Sequence, residues 1–231
     1  MPTPLQPSSG STSPARLILV DDHPILREGL TQLLANAADL TVCGQASTSA
    51  DALALVEREQ PDLAVVDIFL EGSNGIELTK AIRDRWPRVK VLILSMHDES
   101  VYALRALRAG ALGYVMKQEV SGTILTAIRR ILAGGRHFSA EVEAAVRLDE
   151  MEGRRATDSD NVLSLLTDRE LEIFELFGHG HTRAEIAARL NVSVKTVEAH
   201  REHIKDKLRL KDATDLIRRA MFWIEVERNR T

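Results

Sequence analysis

The chain has 231 residues, 44% of them hydrophobic and 28% charged, with 30 basic against 34 acidic side chains. Such a composition fits a soluble protein of one large or two modest domains, and the absence of any apolar run of about 18 residues argues against a membrane segment. The single cysteine, Cys43, excludes an internal disulfide and fits a reducing cytoplasm.

The N-terminal stretch "MPTPLQPSSGSTSPAR" is rich in Ser, Pro and Thr and lacks the apolar core of a signal peptide, so residues 1–14 are expected to be a disordered tail. From there to Phe138, short apolar runs alternate with amphipathic stretches. "RLILVDD" reads as a strand before the helix "HPILREGLTQLLANA". "LTVCGQA" is a second strand, in which Cys43 reads as a small buried hydrophobe, and "SADALALVERE" a helix. "DLAVVD" and "GIELTKAIRDRW" follow, then "KVLILS" and "SVYALRALRAG", then "ALGYVMK" and "SGTILTAIRRILAGG". Five strands alternating with helices predict βα units around a parallel sheet, and continuously apolar runs such as "LILV" and "VLIL" predict strands covered on both faces. Residues 15–138 would form this domain. Residues 139–165, with the charged "DEMEGRRATDSDN", read as a linker.

The remaining residues, 166–231, carry no strand signal. They show helical periods at 168–178, 182–190, 194–208 and 212–225, with capping boxes at Thr167/Glu170 and Thr182/Glu185 and a further cap at Ser193. The fold class expected is a five-stranded parallel α/β sheet followed by a small four-helix domain.

In an open parallel sheet, ligands bind beyond the carboxyl ends of the strands, where the strand order reverses. In flavodoxin-like order that point lies between the first and third strands. The first ends in Asp21 and Asp22, the third in Asp67, the fourth in Ser95 and the fifth in Lys117. Three carboxylates placed together repel unless a cation sits among them, and a hard divalent ion such as Mg2+ suits oxygen ligands. A carboxylate beside such an ion can attack phosphorus. Asp67 is the candidate nucleophile, with Lys117 and the Ser95 hydroxyl placed to meet phosphoryl oxygens. An acid at a strand end is also a common turn former or helix cap, and Asp21 and Asp22 have that second option before Pro24. A dinucleotide enzyme would need a glycine-rich loop after the first strand, where this chain has "DDHPIL". A phosphatase of the haloacid dehalogenase type would need an acid where Phe69 stands.

Through "VDDHP", "VVDIFL", "ILSMHD" and "GYVMK", residues 16–135 resemble the receiver domain of two-component response regulators. The resemblance implies Asp67 as phosphoacceptor, with Asp22 and the Phe69 backbone carbonyl as Mg2+ ligands and Asp21 as the adjoining acid. It implies Ser95, Tyr114 and Lys117 as the switch residues, and a sensor histidine kinase or small phosphodonor as partner. Glu71 and Gln118 stand where the family often has proline; the first is expected to alter the loop beside the site, the second to remove a cis peptide.

In "TRAEIAARLNVSVKTVEAHREHIKDKL" the second helix turns Val197, Ile204 and Leu208 inward and Lys195, Glu198, Ala199, Glu202 and Asp206 outward. Residues 193–211 hold six basic and three acidic residues. By charge alone a solvated, charged helix is the better reading. Residues 166–220, however, resemble the LuxR-type helix-turn-helix of NarL/FixJ regulators, which implies double-stranded DNA as partner. Glu198, Ala199 and Glu202 would read bases, and Thr182, Arg183, Lys195 and Arg201 would contact phosphates. Glutamate can accept from cytosine N4 but repels phosphate, which favours weak binding by a monomer. The last helix carries Leu216, Ile217, Ala220, Phe222 and Ile224; by resemblance these make a homodimer interface, and otherwise they close the domain's core. The seven histidines, His200 and His203 among them, are scattered, with no Cys or acid completing a zinc set nearby, so ordinary helix and turn roles are expected.

The reading is a transcription regulator controlled by phosphorylation of Asp67, whose only chemistry is to accept and hydrolyse its own aspartyl phosphate. Two alternatives remain at this point: a phosphorylation-independent DNA-binding protein whose first domain only dimerises, and a metal-dependent phosphate-handling enzyme.

Overall fold

A computed structural model describes residues 13–70, 72–96, 99–144 and 162–228. Most of the expected tail, much of the expected linker and Glu71 lie outside the described residues.

The first domain runs β1 (Ala15–Val20), α1 (Pro24–Ala35), β2 (Leu40–Ala46), α2 (Ser49–Glu59), β3 (Leu63–Asp67), a two-residue-per-strand hairpin of β4 (Phe69–Leu70) and β5 (Ser73–Asn74), and α3 (Gly75–Arg85). It continues with β6 (Lys90–Ser95), α4 (Glu99–Ala109), β7 (Gly113–Met116), a 3-10 turn at Lys117–Glu119 and α5 (Val120–Leu132). The main sheet is parallel throughout in the order β2-β1-β3-β6-β7. This is the doubly wound order expected, with its reversal between β1 and β3.

Alternation along the strands builds two cores. Leu17, Leu19, Leu63, Val65, Leu92 and Leu94 face α1 and α5. Ile18, Val20, Ala64, Val66, Val91 and Ile93 face α2, α3 and α4. Water reaches neither face, which is why these strands read as unbroken apolar runs. Thr48 caps α2 and Asn74 caps α3, each side chain accepting from a backbone N–H. Residues 140–144, expected to be linker, are helical, and Val142 is buried against the α4 side of the core.

The second domain holds α6 (Asp168–Gly178), α7 (Arg183–Arg189), α8 (Val194–Leu208) and α9 (Ala213–Arg228). Both expected capping boxes form, and Ser193 caps α8 through the Thr196 amide. In the turn between α7 and α8, Asn191 takes φ 49°, a left-handed conformation that asparagine tolerates. Phe174, Ile186, Val197, Ile204, Leu216 and Ala220 are completely buried in this domain's core.

That burial corrects part of the expected dimer surface. Leu216 and Ala220 lie four residues apart on the face of α9 that packs on α6, and Ile224 packs against Gly178 of α6. These three close the domain's own core. Ile217 and Phe222 are exposed, as is Met221, which the sequence reading did not single out.

Candidate functional site

Four of the five residues expected at the sheet edge, Asp21, Asp22, Asp67 and Lys117, come together, and Ser95 ends β6 on the same edge. Asp67 ends β3 with 3% of its surface exposed, and Asp21 follows β1 with the same exposure. Lys117, just after β7, spans them: its Nζ lies 2.6 Å from Asp67 Oδ2 and 2.7 Å from Asp21 Oδ2. Asp67 Oδ1 accepts from the Phe69 amide at 3.4 Å, and Asp21 Oδ1 accepts from the His23 amide at 2.8 Å. Arg27 donates to the Asp21 carbonyl and steadies the turn into α1. Asp22 Oδ1 lies 2.7 Å from His23 Nδ1. Donor atoms of Asp21, Asp22, His23 and Asp67 all fall within 4.8 Å of one another.

Burial pushes the Asp67 carboxyl up to about 6, the Lys117 charge pulls it down, and Asp21 pushes it up again. Burial disfavours the Lys117 cation, but Asp67 and Asp21 outweigh it and hold the lysine above its ordinary value. Three carboxylates against this one lysine leave net negative charge among oxygen donors, a set that suits a hard divalent cation such as Mg2+.

Ser95 is completely buried at the end of β6, and its side chain is hydrogen-bonded to that of Tyr114 on β7. Burial raises the Tyr114 phenol far above its ordinary value, so it stays neutral. No cis peptide occurs among the described residues, in keeping with Gln118 after Lys117.

Sequence reasoning did not foresee what covers this pocket. The helical domain docks over it, and α6 forms the far wall of a cleft of about 590 Å3. Asp22, Asp67 and Lys117 line one side, and Glu172, Glu175 and Leu176 line the other. Tyr102 of α4, fully buried, donates to Glu175, and Arg105 pairs with Asp168 at 2.8 Å while also reaching the Leu163 carbonyl. Glu172 pairs with Arg169 at 2.8 Å and meets Asn74 of the first domain. The signal available in sequence was three acids on α6 at positions 170, 172 and 175, and all three are buried.

Burial pushes the Glu172 carboxyl up to about 7; Arg169 and Asn74 lower it and Glu175 raises it. A carboxyl raised by docking favours docking fully below its ordinary pKa, and that contribution is lost as pH rises through the raised value. Closure of the two domains is therefore expected to be tighter at about pH 6 than at about pH 8. Energy transfer between dyes on the two domains checks this, and Glu172→Gln should remove the part of the pH dependence that Glu172 carries.

On the second domain, five of the expected DNA contacts are exposed: Thr182, Arg183, Lys195, Ala199 and Glu202. Glu198 and Arg201 are half-buried. The outward acids are held by neighbouring cations: Arg183 pairs with Glu198 at 2.9 Å, Arg201 with Glu198, and Lys205 with Glu202 at 2.6 Å. Arg183 lowers the Glu198 pKa and Lys205 lowers that of Glu202, so both stay charged. The structure also brings an acid to the two histidines of α8: donor atoms of Glu170, His200 and His203 lie within 4.8 Å of one another, which corrects the expectation that nothing completes that set.

Residues 17–129 match the response regulator receiver domain, and residues 164–220 match the bacterial regulatory proteins of the luxR family. The chain is 32% identical over 209 residues to the oxygen regulatory protein NreC of Staphylococcus carnosus, covering 89% of this chain and 96% of that one. With NreC of Staphylococcus aureus the identity is 34% over 210 residues, with the same coverage. Among solved structures, a LuxR-family two-component response regulator from Aurantimonas sp. aligns with a TM-score of 0.55 and 38% identity, over 60% of this chain and 99% of that one. RcsB of Salmonella enterica serovar Typhimurium, bound to promoter rprA in the presence of the phosphomimetic BeF3-, aligns with a TM-score of 0.59. At 23% identity over 89% of this chain and 97% of that one, it speaks to the fold alone.

Proposed function

Because this chain belongs to the response regulators that join a receiver domain to a LuxR-type DNA-binding domain, we propose that Asp67 is its phosphoacceptor and that phosphorylation opens the two domains. The observation that carries the reading is Asp67 itself, a buried carboxylate tied through Lys117 to a second acid and facing the domain cleft. Under this reading residues 15–138 are the receiver, 139–165 the connection and 166–231 the DNA-binding domain.

Above its raised pKa the Asp67 carboxylate is ionised and nucleophilic. One of its oxygens forms the new bond to phosphorus as the bond from phosphorus to the donor breaks, the donor being a sensor kinase's phosphohistidine or a small acyl phosphate. Asp21, Asp22, Asp67 and the Phe69 backbone carbonyl would hold Mg2+, which supplies positive charge for the phosphoryl oxygens. Lys117 pairs with one of those oxygens in place of Asp21. The Ser95 hydroxyl turns to another, and Tyr114, bonded to Ser95, follows. Water later attacks the aspartyl phosphate and restores Asp67.

The phosphoryl group brings nearly two negative charges into a cleft whose far wall carries Glu172 and Glu175. Repulsion between the phosphoryl group and these acids opposes closure. Release of α6 frees the helical domain to act in a homodimer, with Ile217, Met221 and Phe222 of α9 as the face between copies. Paired helical domains on two DNA half-sites would give a cytoplasmic transcription regulator.

The test is intact mass after incubation with acetyl phosphate and Mg2+. The native chain should gain one phosphoryl mass and Asp67→Asn none. A gain in both places the phosphoacceptor elsewhere; a gain in neither, with folded protein, removes phosphorylation from the mechanism.

A further inference from the structure

Glu170 does more than close the capping box of α6. It is buried, with 4% of its surface exposed, and its Oε2 accepts from the Thr167 amide at 2.7 Å and from Lys207 at 2.6 Å. Its other oxygen, Oε1, is turned toward α8 and lies 4.0 Å from Nδ1 of His203. His200, three residues earlier, shares that side of α8; its ring and that of His203 meet edge to face with centroids 6.5 Å apart. The Nδ1 atom of His200 is buried and has no hydrogen-bond partner. One donor atom from each of the three residues lies within 4.8 Å of the other two.

We propose that Glu170, His200 and His203 form a binding site for a borderline divalent metal ion, Zn2+ fitting best, which pins α8 to α6. Two imidazoles and a carboxylate are a donor set that zinc accepts with a water in the fourth position, and one that magnesium and calcium do not favour. Neighbouring donors around tetrahedral zinc stand about 3.4 Å apart, given bonds of about 2.0–2.1 Å. The Glu170–His203 separation must close by roughly half an ångström, and His203, whose side chain is 64% exposed, has room to turn. Arg169 and Lys207 stand nearby as opposing charges, but Lys207 is already paired with Oε2. Together with the Thr167 amide it orients the carboxylate from behind, as partners of metal ligands commonly do.

Calorimetric titration of the metal-stripped full chain with Zn2+, in excess Mg2+, tests the site on the native protein, His203→Ala and His23→Ala. The last variant removes the imidazole beside the receiver carboxylates, where zinc has a second opportunity. The expected result is one zinc equivalent that weakens by more than about tenfold in His203→Ala and is unchanged in His23→Ala. The unfolding midpoint should rise with Zn2+ for the native chain and not for His203→Ala. His203 is exposed, so its loss leaves the fold intact. The proposal is overturned if the native chain takes up no zinc, if His203→Ala binds it equally well, or if the equivalent disappears in His23→Ala.

Discussion

Gly75→Ala should lower stability by more than about 3 kcal/mol and cripple phosphorylation together. Gly75 begins α3, and its amide donates to the Ile68 carbonyl at 2.7 Å, folding the β4–β5 hairpin back onto the end of β3. A Cβ at this position would stand 1.9 Å from the Asp67 carbonyl oxygen and 2.8 Å from its carbonyl carbon. The obstacle is backbone, which has no rotamer to yield with, so either β3 or the start of α3 must move. Displacing β3 moves the Asp67 carboxylate away from Lys117; displacing α3 breaks the Asn74 cap and the packing of completely or nearly buried Leu78 and Ile82. The receiver's thermal midpoint should fall by about 10 °C or more, and the phosphorylation rate measured by intact mass well below that midpoint should fall with it. Gly29 and Gly122, which have nothing within 4 Å of a built Cβ, provide the contrast, because alanine there should be tolerated.

Tyr102→Phe should speed phosphorylation by acetyl phosphate. The phenol donates to the buried Glu175 carboxylate across the domain boundary, while its ring meets Phe69 edge to face at 5.7 Å, a contact that phenylalanine keeps. Removing one hydrogen bond to a charged group costs about 1.5–3 kcal/mol. That energy belongs to the closed arrangement alone, so the balance shifts toward the open form by roughly 10- to 150-fold. A donor must enter the cleft that α6 walls off, so the rate follows the open fraction until that fraction approaches one. The initial rate of mass gain should rise by roughly tenfold or more in Tyr102→Phe, with Asp67→Asn as the blank. An unchanged rate would mean that the closed cleft already admits the donor.

The sheet and the acids at its edge were legible because each depends on local pattern. Unbroken apolar runs mark strands covered on both faces, and an acid that ends such a run can only stand at the carboxyl edge. The caps at Thr167, Thr182 and Ser193 were legible for the same reason, since a cap and its partner lie within three residues. The last helix was read less well. Helical period gives which residues share a face, but the choice between an internal core and a partner needs the position of α6, and that placed Leu216 and Ala220 inside. The meeting of Tyr102 with Glu175, and of Glu170 with His203, joins residues 73 and 33 positions apart. Nothing periodic connects them, and only tertiary packing brings them together.

The outward face of α8 remains uncovered while the domains are closed, with Lys195, Ala199 and Glu202 all exposed. Under the proposed function closure would therefore leave the DNA-facing residues open, and a lone closed chain would still touch a half-site weakly as it diffuses along DNA. What closure would withhold is avidity. Two weak half-site contacts joined in one dimer act at an effective concentration set by their tether, which can raise overall affinity by about 10²–10⁴ without any new contact. If Glu198 and Glu202 face DNA as proposed, their charge would keep each single contact weak, and occupancy of a promoter would then report how many open chains are available to pair.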